Sequence, residues 1–137
     1  MARTGSISTR QAVPVLVVSP DKQDHTCLHR ILEPECKLHR ATSRKQAKSA
    51  FERHQPSVVI CEQVLNDGDW RDLLADVHRQ TAETRFIVFS RLADDQLWIE
   101  VLNRGGYDLL AKPFAPAEVS RVVKLAANRR VMRSPAL

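Results

Sequence analysis

Gly105-Gly106-Tyr107-Asp108-Leu109-Leu110-Ala111-Lys112-Pro113-Phe114 is the stretch on which the fold turns. Before it, Trp98, Ile99, Val101 and Leu102 recur at helical spacing, and the paired glycines supply the backbone freedom with which helices commonly stop. Ile99 and Leu102 read as that helix's core side, with Trp98 beside them. Tyr107 to Ala111 is then too short and too apolar for anything but a brief strand, and Lys112-Pro113 ends it with an ammonium at its carboxyl end. Pro116 opens another helix, whose apolar positions are Val119, Val122, Val123 and Ala126. A helix, a short buried strand and a helix in immediate succession are the close of an alternating α/β chain.

Working back toward the start, the same alternation repeats. Val13-Pro14-Val15-Leu16-Val17-Val18, Val58-Val59-Ile60-Cys61 and Phe86-Ile87-Val88-Phe89 are continuous apolar runs, the pattern of strands buried on both faces. Cys36 to Ala41 alternates, with Cys36, Leu38 and Arg40 on one side, and reads as a further strand. Between them lie helices. Ser19 is expected as the N-cap of the first, with Pro20 at its first helical position and Leu28, Ile31 and Leu32 as its apolar face. Ser43 caps the second, which carries Ala47, Ala50 and Phe51. Asn66-Asp67-Gly68-Asp69 is a turn, after which Trp70, Leu73, Leu74 and Val77 face inward on the third, and Asp94-Asp95 opens the fourth. The expected fold class is α/β: a (βα)5, doubly wound, five-stranded parallel sheet. Such sheets place their sites at the carboxyl ends of the strands, here Ser19-Pro20, Glu62, Ser90-Arg91 and Lys112.

At 137 residues the chain fits one domain, expected over 13–130, with a disordered leader over 1–12 and a tail or linker start over 131–137. Apolar residues make up 43 %, enough for a packed core. The formal charge is +5, and Arg3, Arg10, Arg129, Arg130 and Arg133 lie in the end segments. No aromatic residues interleave with those arginines, so they read as solvated tails and nucleic-acid binding is not expected. Three cysteines, Cys27, Cys36 and Cys61, with no C-x-x-C, argue against a disulfide framework or zinc site and for a reducing, cytoplasmic location. Residues 1–12 lack the apolar region of a signal peptide, and the run Val13–Val18 is too short to cross a bilayer.

With its five βα units and the Gly-Gly…Lys-Pro-Phe stretch, the segment 13–130 resembles the receiver domain of two-component response regulators, of the chemotaxis-regulator type. The resemblance implies a flavodoxin-like fold and a signalling module rather than an enzyme. It also implies a set of site positions: an acidic pair after strand 1 that holds Mg²⁺, an Asp phosphoacceptor ending strand 3, a Thr or Ser ending strand 4, a Lys ending strand 5 and an aromatic three residues before it. A carboxylate attacks phosphorus only where metal and lysine neutralise the gathering oxygens. Here Ser19 and Pro20 stand at the acidic pair, Glu62 at the phosphoacceptor and Leu109 at the aromatic, while Ser90 and Lys112 keep the pattern. Magnesium binding is therefore not expected, no cofactor is expected, and no catalytic residue is assigned. Arg91 stands where the family has a small residue and would either crowd the site or act as a fixed cation. A Glu62–Lys112 ion pair is expected, either holding a permanently active-like arrangement or serving as a plain structural pair.

Other candidates are thinner. Asp21, His25 and His29 recur four apart on the first helix, a spacing open to a metal but more simply a solvated flank. His39, His54 and His78 are scattered and expected at the surface; Cys61 reads as a core thiol. No G-x-G-x-x-G, Walker loop or G-x-S-x-G occurs. The family docks output partners and dimer mates on the surface of helix 4, strand 5 and helix 5, where Trp98 is either an interface anchor or folded onto the seam between those helices. The resulting expectation is phosphorylation-independent signalling by contact with a histidine kinase, an output protein or a second receiver. The alternatives are a phosphoacceptor with an atypical site, using Asp67, Asp69 or Ser90, and a basic nucleic-acid-associated module.

Overall fold

The apolar runs become strands in the computed structural model, which describes residues 12–128. The expected leader, the tail and the arginines at 3, 10, 129, 130 and 133 lie outside the described residues. In chain order the elements are β1 (Val13–Val18), α1 (Lys22–Leu32), β2 (Cys36–Ala41), α2 (Arg44–His54), β3 (Val58–Glu62), α3 (Trp70–Gln80), β4 (Arg85–Ser90), α4 (Asp95–Asn103), β5 (Asp108–Ala111) and α5 (Pro116–Ala127). The five strands form one sheet in the order β2-β1-β3-β4-β5, every neighbouring pair parallel. A parallel neighbour requires a crossover, and α1 to α4 each connect one strand to the next, while α5 follows the last strand. Between β3 and α3 the expected turn closes a small antiparallel hairpin, Val64–Leu65 against Gly68–Asp69.

Both faces of the sheet are covered, which explains why β1, β3 and β4 show no polar alternation. On one face α2, α3 and α4 bring Ala47, Phe51, Trp70, Leu73, Leu97 and Val101 onto Leu16, Val59, Phe86 and Val88. On the other, α1 and α5 bring Leu28, Leu32, Val119, Val122 and Val123 onto Val15, Val17, Ile60, Ile87 and Phe89. Trp70 is fully buried, a burial worth roughly 3 kcal/mol on transfer grounds.

Three local expectations are corrected. Helix α1 begins at Lys22, and its N-cap is Asp21, whose carboxylate accepts from the Gln23 amide at 2.9 Å. Ser19 and Pro20 therefore stay in the strand-end loop, because Ser19 is held by β2, its amide bonding the Ala41 carbonyl at 3.0 Å. On α4 the buried positions are Leu97 and Val101, whereas Ile99 and Leu102 face outward. The helix starts at Asp95 behind the Asp94 cap, and that phase turns Ile99 and Leu102 away from the sheet. His39 and His54 are half-buried and stack with ring centroids 3.6 Å apart, since the edge strand β2 and the end of α2 converge there. Burial, then His54, then Lys37 push the His39 imidazole below its ordinary value.

Candidate functional site

The parallel sheet aligns the carboxyl ends of β1, β3, β4 and β5 at one rim, and that rim gathers Ser19, Glu62, Ser90 and Lys112. Lys112 follows β5 and is fixed in depth by its amide, which bonds the Ser90 carbonyl at 3.1 Å. Its side chain is 9 % exposed and lies over the Phe89 ring, the ammonium 5.2 Å from the centroid. The ammonium donates to Glu62 Oε1 at 2.9 Å. It also donates to Asp24 Oδ1 and Oδ2 at 3.1 and 3.0 Å.

Asp24 is the residue that sequence reasoning missed. It sits in the first turn of α1 and is buried, so the helix start delivers a carboxylate to the strand ends from the side. The signal was present but ambiguous: an acidic residue in a first turn usually serves the helix dipole in solvent. Ser19 Oγ donates to Asp24 Oδ2 at 2.7 Å and accepts from the Asp21 amide at 3.0 Å. His25, also buried, bonds the Ser19 carbonyl through Nε2 at 2.9 Å. The carbonyl can only accept, so Nε2 carries the proton. His25 is thus part of the site's buried wall and not of a solvated flank.

Both oxygens of Glu62 are engaged, Oε1 by Lys112 and Oε2 by the Gln63 amide at 2.9 Å. Ser90 Oγ donates to Gln63 Oε1 at 2.6 Å and accepts from the Leu92 amide at 2.9 Å. Arg91 is exposed, so it neither crowds nor fills the site. Leu109 is partly buried against the α2–α3–α4 core, Pro20 is exposed, and Trp98 stands 45 % exposed on α4. Asp67 and Asp69 have structural tasks: Asp67 accepts from the Arg44 and Lys45 amides at 2.7 and 3.0 Å, and Asp69 caps α3.

The electrostatics follow from this geometry. Burial alone would push the Lys112 ammonium down; the hydrogen bonds to Glu62 and Asp24 and their charges outweigh it and hold it above the ordinary lysine value. Nearby, Arg71 binds Glu100 on α4 with Nη2–Oε1 at 2.7 Å, and Arg104 adds a second contact at 2.9 Å. Arg71 first, and Arg104 after it, take the Glu100 carboxyl down to about 2. That pair ties α3 to α4 beside the rim.

A magnesium ion does not fit these residues. It would need several oxygens free in an octahedron. The two carboxylates at the rim are both bound to an ammonium, and no cluster of three His, Cys, Asp or Glu suited to a metal exists among the described residues.

A model of the response regulator receiver domain family matches residues 8–124. The chain belongs to that family. This receiver domain is 28 % identical over 123 residues to the hydrogenase transcriptional regulatory protein HoxA of Cupriavidus necator, a match that covers 89 % of this chain and 25 % of HoxA. It thus spans about a quarter of that relative's length. Among solved structures it superimposes on the receiver domain of Francisella response regulator 1452 with a TM-score of 0.78 at 25 % identity, covering 86 % of this chain and 98 % of that one. The receiver domain of an HD domain-containing protein from Pseudomonas fluorescens gives 0.80 at 25 % identity, covering 92 % and 94 %. The flavodoxin-like, five-stranded parallel fold is the one those neighbours share. As a receiver domain the protein is a module of two-component signalling, and no helix among the described residues is long and apolar enough to cross a membrane.

Proposed function

We propose that this receiver domain signals in the cytoplasm by protein–protein contact, without phosphoryl transfer, and that an internal ion cluster stands in for the metal and phosphoryl chemistry. The observation that carries this reading is the Lys112 ammonium, bound at once by Asp24 and Glu62 within 3.1 Å. In the family's chemistry the equivalents of Glu62, Ser90 and Lys112 are the groups a phosphoryl group meets. Here Glu62 has no free oxygen, Ser90 is held by Gln63, and Lys112 is already neutralised. A metal would have to evict Lys112 from both carboxylates, and the acidic pair that would reward it is Ser19-Pro20. The cluster holds the ends of β1, β3 and β5 in one arrangement, so the surface it supports is constitutive.

The partner is a protein such as a histidine kinase, an output protein or a second receiver, docking on α4, β5 and α5. Trp98, Ile99 and Leu102 give that side 45 %, 53 % and 41 % exposed apolar residues. Against the reading of an atypical phosphoacceptor, Asp67 and Asp69 already hold the starts of α2 and α3.

The test is incubation of the protein with acetyl phosphate and Mg²⁺, read by intact-mass and peptide mass spectrometry. No phosphoryl adduct is expected on the unmodified chain or on Glu62→Asp. An Asp at position 19 would meet the Asp24 carboxylate, so the restored variant is Ser19→Asp, Pro20→Asp, Glu62→Asp with Asp24→Asn, and labelling is expected there. Efficient labelling of the unmodified protein at Glu62, Asp67, Asp69 or Ser90 would overturn the proposal in favour of a working phosphoacceptor.

A further inference from the structure

Between α1 and the edge strand β2 lies a cavity of about 450 Å³, walled by Val17, His25, Thr26, His29, Leu38 and Arg40. The two periodicities that build the fold also build this wall. Strand alternation sends Leu38 and Arg40 to the α1 side of β2 while His39 goes to the α2 side, where it meets His54. Helical spacing places His25 and His29 one turn apart on α1. The cavity therefore has an apolar floor: Val17 is fully buried, and Leu38 packs against the α1–α5 core.

Arg40 brings the permanent positive charge of its wall. Arg40 is exposed and makes no ion pair among the described residues. Thr26 adds a hydroxyl, and the two imidazoles complete the wall. No carboxylate is part of it; the nearest acid to any wall residue in an ion pair is Glu33, 3.6 Å from His29 and outside the wall. Small-molecule sites are concavities of this order of size, largely apolar, with a few polar groups that set orientation. A guanidinium presents a planar fork that matches a carboxylate through two parallel hydrogen bonds. An inorganic anion would leave the floor of Val17 and Leu38 unused, and a neutral apolar molecule would leave Arg40 unused.

We propose that the α1–β2 cavity is a binding site for a small organic anion, a carboxylate carried on an apolar body, with Arg40 as its anchor. This site lies apart from the Lys112 cluster and goes beyond the signalling reading; it stands or falls independently of whether the domain is phosphorylated.

The experiment is a titration of the ¹⁵N-labelled chain with sodium benzoate at fixed ionic strength, followed by amide shifts. Saturable shifts are expected at Thr26, Leu38 and Arg40, with a dissociation constant on the order of 1 mM for so small a probe. Benzamide, the uncharged analogue of the same shape, and inorganic phosphate should give no saturable shifts there over the same range. Arg40→Gln, a change at an exposed position, should weaken benzoate about tenfold, the size expected of one charge-assisted contact. Lys48→Gln, on α2 facing Asp76 of α3, removes the same net charge elsewhere and should leave the affinity unchanged. Benzoate shifts that do not saturate, that benzamide reproduces, or that survive Arg40→Gln undiminished would each overturn the site.

Discussion

Lys112 shows how few atoms decide the character of the rim. Two carboxylates and one ammonium are taken largely out of water there, and the cost of desolvating each ion is several kcal/mol. Attraction at 2.9 Å offsets that cost only while all partners are present. Lys112→Met leaves Asp24 and Glu62 facing each other without a counterion, and we expect a loss of about 3 kcal/mol in urea denaturation. Adding Asp24→Asn and Glu62→Gln to that variant should recover a good part of the loss; a denaturation midpoint that Lys112→Met leaves unmoved would show that the cluster does not hold the strand ends. The pH dependence has a definite sign. Lys112 is held above 10.5 in the folded protein, so the folded state binds this proton more tightly than the unfolded chain. Its contribution is complete below pH 10.5 and falls away as pH rises through the raised value, a decline that Lys112→Met should lack. Glu62, Ser90 and Lys112 could be placed at the rim from sequence, because each ends a strand and parallel strands end together. Asp24 could not, because its role depends on how α1 packs and not on any local pattern.

At the scale of elements, α4 and its exit are the instructive case. The glycine pair that closes α4 meets two different demands. Gly105 has φ +95°, a conformation that disfavours any side chain. At Gly106 the constraint is space: a Cβ there would lie 2.5 Å from Val101 Cγ1 and 2.9 Å from the Val101 carbonyl oxygen. Gly106→Ala must therefore push α4 off β5, and we expect a loss of about 2 kcal/mol, visible as a lower thermal midpoint. Gly106→Ala with unchanged stability would mean that α4 is free to shift against the sheet. The end of α4 was legible from Gly105-Gly106, but its facing was not. Trp98, Ile99, Val101 and Leu102 span more of the helix than one core stripe can bury, and only contact with Phe86 and Val88 picks Leu97 and Val101. The same limit applies to α1, where the sequence pointed to Ser19 as cap with Pro20 at the first helical position, and the hydrogen bond of Ser19 to β2 left the cap to Asp21.

For the whole molecule, the two-layered core contrasts with the exposed apolar side of α4, which the proposed function assigns to recognition. Trp70 is fully buried while Trp98 is 45 % exposed, so the two tryptophans report on different things. Trp98→Ala should leave the thermal midpoint nearly unchanged and weaken binding of a docking partner, or self-association where it occurs, by on the order of 2 kcal/mol. Sedimentation and a binding titration on the same variant separate the outcomes. A marked fall in stability with association intact would place Trp98 in the fold and not in an interface. The tie of Arg71 to Glu100 joins α4, which carries Trp98, to α3.

The parallel five-stranded sheet, the succession of strands and helices along the chain, and the line of strand ends at the rim could be read from the residues alone. These follow from local rules: uninterrupted apolar runs must be covered on both faces, and parallel neighbours must be joined by crossovers. The two residues that follow β1, Ser19 and Pro20, carry no carboxylate, and that too is plain in the sequence. Packing alone brings Asp24 from α1 onto Lys112, Gln63 onto Ser90, and His39 onto His54. Each of those contacts joins side chains whose separation is set by helix phase and packing depth. A shift of one residue in the start of α1 would turn Asp24 away from Lys112 by about 100°, and no pattern in the chain itself records that angle.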